Sequence, residues 1–103
     1  MPVFEVSELA VGQIKRVCVP GYPPIAIYNV GGSFYATADT CTHARASLSE
    51  GDLDGRHVVC PVHWAEFDVT TGRAMSFPAS IPLVTYSVTV EGDTVILALP
   101  ADR

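Results

Sequence analysis

Two short dyads in the sequence each place a thiol beside an imidazole. Cys41-Thr42-His43 has the form C-x-H and Cys60-Pro61-Val62-His63 the form C-x-x-H, with sixteen residues between His43 and Cys60. Two thiolates and two imidazoles are a full ligand set for one tetrahedral metal ion or for a two-iron cluster. The chain holds three cysteines and three histidines in all, so two such pairs within 23 residues stand out from ordinary core cysteines and surface histidines. Typical structural zinc sites group their ligands as roughly C-x2–4-C and H-x3–5-H. Here each half carries one of each, which suits ligand pairs whose members point to different metals. Spacing alone leaves zinc and an iron–sulfur cluster both open.

The dyads need elements that hold them in place. Gly and Pro, eight of each, punctuate the chain, and the apolar segments between them are short and rich in β-branched and aromatic residues. Ile14 to Val19 alternates in part, and Ile25 to Val30 is continuously apolar. Gly31-Gly32 then leads into Ser33 to Ala38, which reads as a hairpin. Arg56 to Cys60 follows Asp54-Gly55, and Phe67 to Thr70 precedes Thr71-Gly72. Leu83 to Val90 alternates and turns through Glu91-Gly92-Asp93 into Thr94 to Leu99, the clearest hairpin in the chain. Val6 to Val11 has room for one helical turn, and no longer stretch repeats with a helical period. The pattern predicts an all-β domain, sandwich-like or barrel-like. Each dyad then falls in a loop beside a strand: Cys41 shortly after Ala38, Cys60 at the end of its own strand.

A chain of 103 residues fits one domain, 1–103. It is 49% hydrophobic and 17% charged, which excludes intrinsic disorder. A chain this short buries only about 60–65% of its unfolded surface, so its core is thin and a cofactor joining two loops would help. The net charge of −5 argues against nucleic acid and anionic membrane as partners. No apolar run approaches the roughly 20 residues of a membrane span. Met1-Pro2-Val3-Phe4-Glu5 lacks the basic start of a signal peptide. An odd number of cysteines fits a disulfide framework poorly. These features predict a cytoplasmic protein. Cys18, distant from both dyads, reads as a buried free thiol. His57, on the strand face opposite Cys60, reads as a surface or half-buried histidine. The span from Asp39 to Asp68 carries four of the five net negative charges, read either as a solvated face or as a docking field.

C-T-H, sixteen residues, then C-P-x-H resembles the signature of the Rieske [2Fe–2S] family. The resemblance extends to Leu48-Ser49-Glu50-Gly51 followed by Gly55, Phe67-Asp68 with Thr71-Gly72, Pro78, Pro82-Leu83, and Val90-Glu91-Gly92-Asp93. These look like the bacterial Rieske-type ferredoxins of aromatic-ring-hydroxylating dioxygenases, and the match covers about residues 33 to 100. It implies an antiparallel β-sandwich or barrel-like domain with a small cluster-binding part at about 39–80. It implies one [2Fe–2S] cluster held by Cys41 and Cys60 on one iron and His43 and His63 on the other. The implied function is one-electron transfer, not catalysis. A flavoprotein reductase using NAD(P)H would supply the electron, and a terminal oxygenase would receive it, with this chain acting as a monomer. The chain is too small to be the oxygenase and lacks a G-x-G-x-x-G fingerprint. Alternatives are the small subunit of an assimilatory nitrite reductase and a zinc-stabilised binding module.

The same resemblance narrows the potential. High-potential relatives clamp their loops with a disulfide, at positions occupied here by Ala46 and Val62. They also donate hydroxyl hydrogen bonds to the cluster, from positions that are Ala65 and Phe67 here. The implied potential is therefore near the low end of the Rieske range, about −150 mV. Trp64 follows His63 where many relatives have glycine nearby, and reads equally as a docking aromatic or a loop anchor. Phe77 to Pro82 is implied to be a proline loop shielding the cluster.

Overall fold

A computed structural model describes residues 1–42, 46–62, 64–76 and 81–99. Among these the chain forms nine strands, all paired antiparallel, and two single 3-10 turns. The strands are β1 (Pro2–Glu5), β2 (Ile14–Val17), β3 (Ile25–Val30), β4 (Ser33–Ala38), β5 (Asp52–Asp54), β6 (His57–Val59), β7 (Glu66–Asp68), β8 (Thr85–Glu91) and β9 (Thr94–Ala98). Six of them form one sheet in the order β1-β9-β8-β4-β3-β2, and β5-β6-β7 form a second. The fold is all-β and barrel-like, as the spacing of turn signals predicts. The predicted helical turn near the N-terminus is a 3-10 turn over Val6–Glu8.

The continuous apolar run of β3 has a geometric reason. Successive side chains on a strand point to opposite faces, and here both faces are covered. Ile25 and Ile27 pack with Phe4, Phe34, Val95 and Leu97 in one core. Ala26 and Tyr28 pack with Leu48, Val58, Phe67 and both Cys41 and Cys60 in another. β3 therefore joins a core that stabilises the large sheet to a core that contains the two thiols. Its partner β4 does the same: Phe34 and Ala36 belong to the first core, while Thr37 bonds the Tyr28 hydroxyl at 2.8 Å on the other face.

Three elements carry little signal in the sequence. β1 pairs with β9 across the whole length of the chain, so no local turn marks it. β5 is Asp-Leu-Asp, with one half-buried apolar residue between two exposed carboxylates. The 3-10 turn Leu48–Glu50 is too short for any periodicity to show.

Candidate metal centre

The two cysteines begin loops of the same design. The Cys41 N–H donates to the Ala46 carbonyl at 2.9 Å, and the Cys60 N–H donates to the Ala65 carbonyl at 2.7 Å. Each loop thus leaves its sheet at a cysteine and is closed five residues later by an alanine. His43 falls inside the first loop and His63 inside the second; both lie outside the described residues, as do Phe77 to Ser80 of the implied proline loop.

Cys41 and Cys60 are buried, at 3% and 0% exposure, in the same core. Burial pushes the Cys60 thiol up to about 11; the Val62 N–H on its sulfur opposes this, and the neighbouring Cys41 raises it further. The two sulfurs are therefore close enough to interact. Two converging thiols that share one buried core, one already accepting a backbone N–H, fit a pair of thiolates on one iron. Bound metal would replace the protons that burial holds on them.

Neighbouring segments brace both loops. Asp39, just before the first loop, accepts from the Ser49 N–H at 2.8 Å and from the Ser47 hydroxyl, and lies 3.5 Å from Arg16 Nε. The Thr42 hydroxyl donates to the Ile81 carbonyl at 2.7 Å, tying the first loop to the end of the implied proline loop. Gly51 packs against Val59 and Pro61 at the entry to the second loop. Asp68, at the end of β7, accepts from the Thr70 hydroxyl and N–H and pairs with Arg56 Nε at 3.2 Å. Among the described residues no buried side-chain polar atom lacks a partner.

Several expectations need correction or sharpening. Cys18 is exposed rather than buried, because it follows β2, an edge strand of the large sheet. The acidic span is not one surface field. Asp39 and Asp68 are buried and paired with arginines, so only Glu50, Asp52 and Asp54, with the half-buried Glu66, face solvent. His57 is half-buried on the face opposite Cys60, with Nδ1 3.4 Å from a Glu66 carboxylate oxygen. Trp64 is 71% exposed with φ of 60°, so it does not anchor its loop by burial. The roles of Asp39 and Gly51 escaped the sequence reading. Asp39 counted there only as charge, and Gly51 only as part of a matching run.

Comparison with known proteins agrees with this geometry. A family model described as the Rieske [2Fe-2S] domain matches residues 1–87. The ferredoxin component of biphenyl 2,3-dioxygenase from Rhodococcus jostii (strain RHA1) is 49% identical over 93 residues, covering 90% of this chain and 86% of that one. A solved complex of reduced oxygenase and oxidised ferredoxin in carbazole 1,9a-dioxygenase contains a chain 46% identical to this one. The TM-score is 0.92, with 95% of this chain and 91% of that chain covered. A nitrite reductase small subunit from Mycobacterium tuberculosis shares the fold, with a TM-score of 0.86 and 98% and 95% coverage, at 19% identity.

Proposed function

The chain belongs to the Rieske [2Fe–2S] domain family, and we propose that Cys41, His43, Cys60 and His63 hold its cluster, with 1–103 a single domain. The observation that carries this reading is the convergence of Cys41 and Cys60 in one buried core, each at the head of a loop that contains one histidine. The bound cluster supplies a one-electron couple, which two neutral imidazoles raise above that of an all-cysteine cluster. The chain's own residues hold the thiolates out of water and fix both loops against β4 and β6.

The protein is an electron-transfer component of an aromatic-ring dioxygenase system and not itself an enzyme. It receives an electron from an NAD(P)H-dependent flavoprotein reductase and delivers it to the terminal oxygenase. It works as a monomer in the cytoplasm, where the exposed thiol of Cys18 fits a reducing compartment. No helix among the described residues is long and apolar enough to cross a membrane. The delivery face is read as the two cysteine loops together with residue 81, which Thr42 ties to the first of them. There Trp64 and Ile81 present exposed apolar surface, and such surface favours docking. The nitrite reductase alternative has only the shared fold behind it.

The test is reconstitution. The reduced protein is expected to give a Rieske EPR signal, and product formation by a ring-hydroxylating oxygenase should require it together with a reductase. Replacing either Cys41 or Cys60 by serine should abolish both. A colourless protein that binds zinc and restores no turnover would overturn the reading.

A further inference from the structure

Asp39 follows β4 and stands two residues before Cys41. Its side chain is almost wholly enclosed, at 2% exposure. A carboxylate there loses its hydration and persists only with compensating donors. The donors are specific. Oδ1 accepts the Ser49 N–H at 2.8 Å, and Oδ2 accepts the Ser47 hydroxyl, which itself meets the Ser49 hydroxyl at 2.7 Å. Both serines lie on the limb by which the Cys41 loop returns. The backbone repeats the link, with the Leu48 N–H on the Asp39 carbonyl at 2.7 Å. One side chain thus fastens the exit of the loop to its entry.

The clamp does not need the charge for its shape, since an asparagine fills the same space and still accepts the Ser49 N–H. The charge is also incompletely neutralised. Arg16 is 3.5 Å away but 53% exposed, so water and salt screen it. The carboxylate's field reaches the core that holds both thiols. Tyr28, in that core, is pushed well above the usual phenol range by burial; Thr37 opposes this and Asp39 adds to it.

We infer that Asp39 is a positioning residue for the cluster and also a setter of its potential: its carboxylate clamps the Cys41 loop, and its buried negative charge disfavours the added electron. The inference rests on the cluster reading above. Two residues of chain keep the Asp39 and Cys41 α-carbons within roughly 7 Å. At an effective dielectric near 20, removing a unit charge within about 10 Å changes an equilibrium by tenfold or more. Arg16 offsets part of this, so a shift of about tenfold is expected.

The experiment is a redox titration of the holo-protein, with EPR of the reduced form. Asp39→Asn is expected to keep the Rieske signal and move the reduction equilibrium about tenfold toward the reduced state, or 59 mV for one electron. Asp39→Ala should add faster cluster loss to a chelator, because the clamp goes as well. Arg16→Gln should shift the potential the other way by exposing the cluster to the uncompensated carboxylate. Potentials equal to wild type in both Asp39→Asn and Arg16→Gln overturn the inference, even if cluster lifetime falls. If Asp39→Asn does not fold, Arg16→Gln decides: a downward shift supports the inference and no shift overturns it. A wild-type protein without a Rieske signal would instead remove the cluster reading itself, so the two failures are distinguishable.

Discussion

Gly51 sits so close to Val59 that a β-carbon on it would stand 2.0 Å from the Val59 carbonyl oxygen and 3.2 Å from Pro61 Cδ. Its φ of −89° is open to any residue, so the requirement is for space and not for backbone freedom. Gly51 ends the 3-10 turn that Asp39 caps and touches the strand that feeds Cys60. It is the joint between the two cysteine loops. Gly51→Ala must push them apart, at about 1–3 kcal/mol for an overpacked site. The expected outcome is a lower denaturation midpoint and faster bleaching of the visible cluster spectrum under chelator. A variant that bleaches at the wild-type rate would show that the loops are held independently.

Much of the sheet is legible in the sequence. Ile25 to Val30 and Ser33 to Ala38 are β3 and β4 to the residue, since a glycine pair fixes their hairpin and β-branched and aromatic residues make up half or more of each. The thiols were readable because cysteines paired with histidines are rare. What held them was not. The clamp at Asp39 depends on serines eight and ten residues away in sequence, and Asp68 on an arginine twelve residues back. Local pattern does not distinguish such carboxylates from solvated ones. The exposure of Cys18 is hidden from the sequence for the same reason, because a strand's edge position is set by sheet order and not by its own residues.

Trp64 adopts φ of 60°, a left-handed conformation that costs an L-residue about 1–2 kcal/mol and glycine almost nothing. The turn is required, because it lets the Ala65 carbonyl reach back to the Cys60 N–H at 2.7 Å. With 71% of its surface exposed, Trp64 regains little of that cost inside the molecule. Trp64→Gly is therefore expected to raise stability by up to about 1 kcal/mol in denaturant titrations. It should also raise the ferredoxin concentration needed for half-maximal turnover of the oxygenase, with the potential unchanged. Phenylalanine at this position should retain most of the docking, and unchanged half-saturation in Trp64→Gly would refute the docking role.

Acid should weaken the β6–β7 hairpin, at the end away from its cysteine loop, through Asp68. Burial alone would raise its carboxyl, but the Thr70 hydroxyl and N–H, Arg56 and His57 outweigh it and hold the carboxyl below its usual 3.8. A carboxylate lowered on folding stabilises the native state above its unfolded value. That contribution disappears as pH falls through the folded value. Stability should thus fall with pH below about 4, more steeply in the wild type than in Asp68→Asn. Equal pH slopes in urea titrations of the two proteins would exclude Asp68 as the source.

The potential provides a further test, because the resemblance implies hydroxyl donors in high-potential relatives at positions that are Ala65 and Phe67 here. Ala65 and Phe67 are both fully buried, and Phe67 shares its core with Cys41 and Cys60. The unmodified protein should therefore titrate near the low end of the Rieske range, about −150 mV. Phe67→Tyr and Ala65→Ser each introduce a buried hydroxyl that needs an acceptor. A net hydrogen bond of about 0.5–1.5 kcal/mol to the reduced cluster corresponds to an upward shift of roughly 20–65 mV. If either hydroxyl acts on the cluster, its effect should add to that of Asp39→Asn, since one variant supplies a donor and the other removes a charge. If both hydroxyl variants leave the potential unchanged while Asp39→Asn raises it, the low potential comes from the buried carboxylate and not from the absent donors.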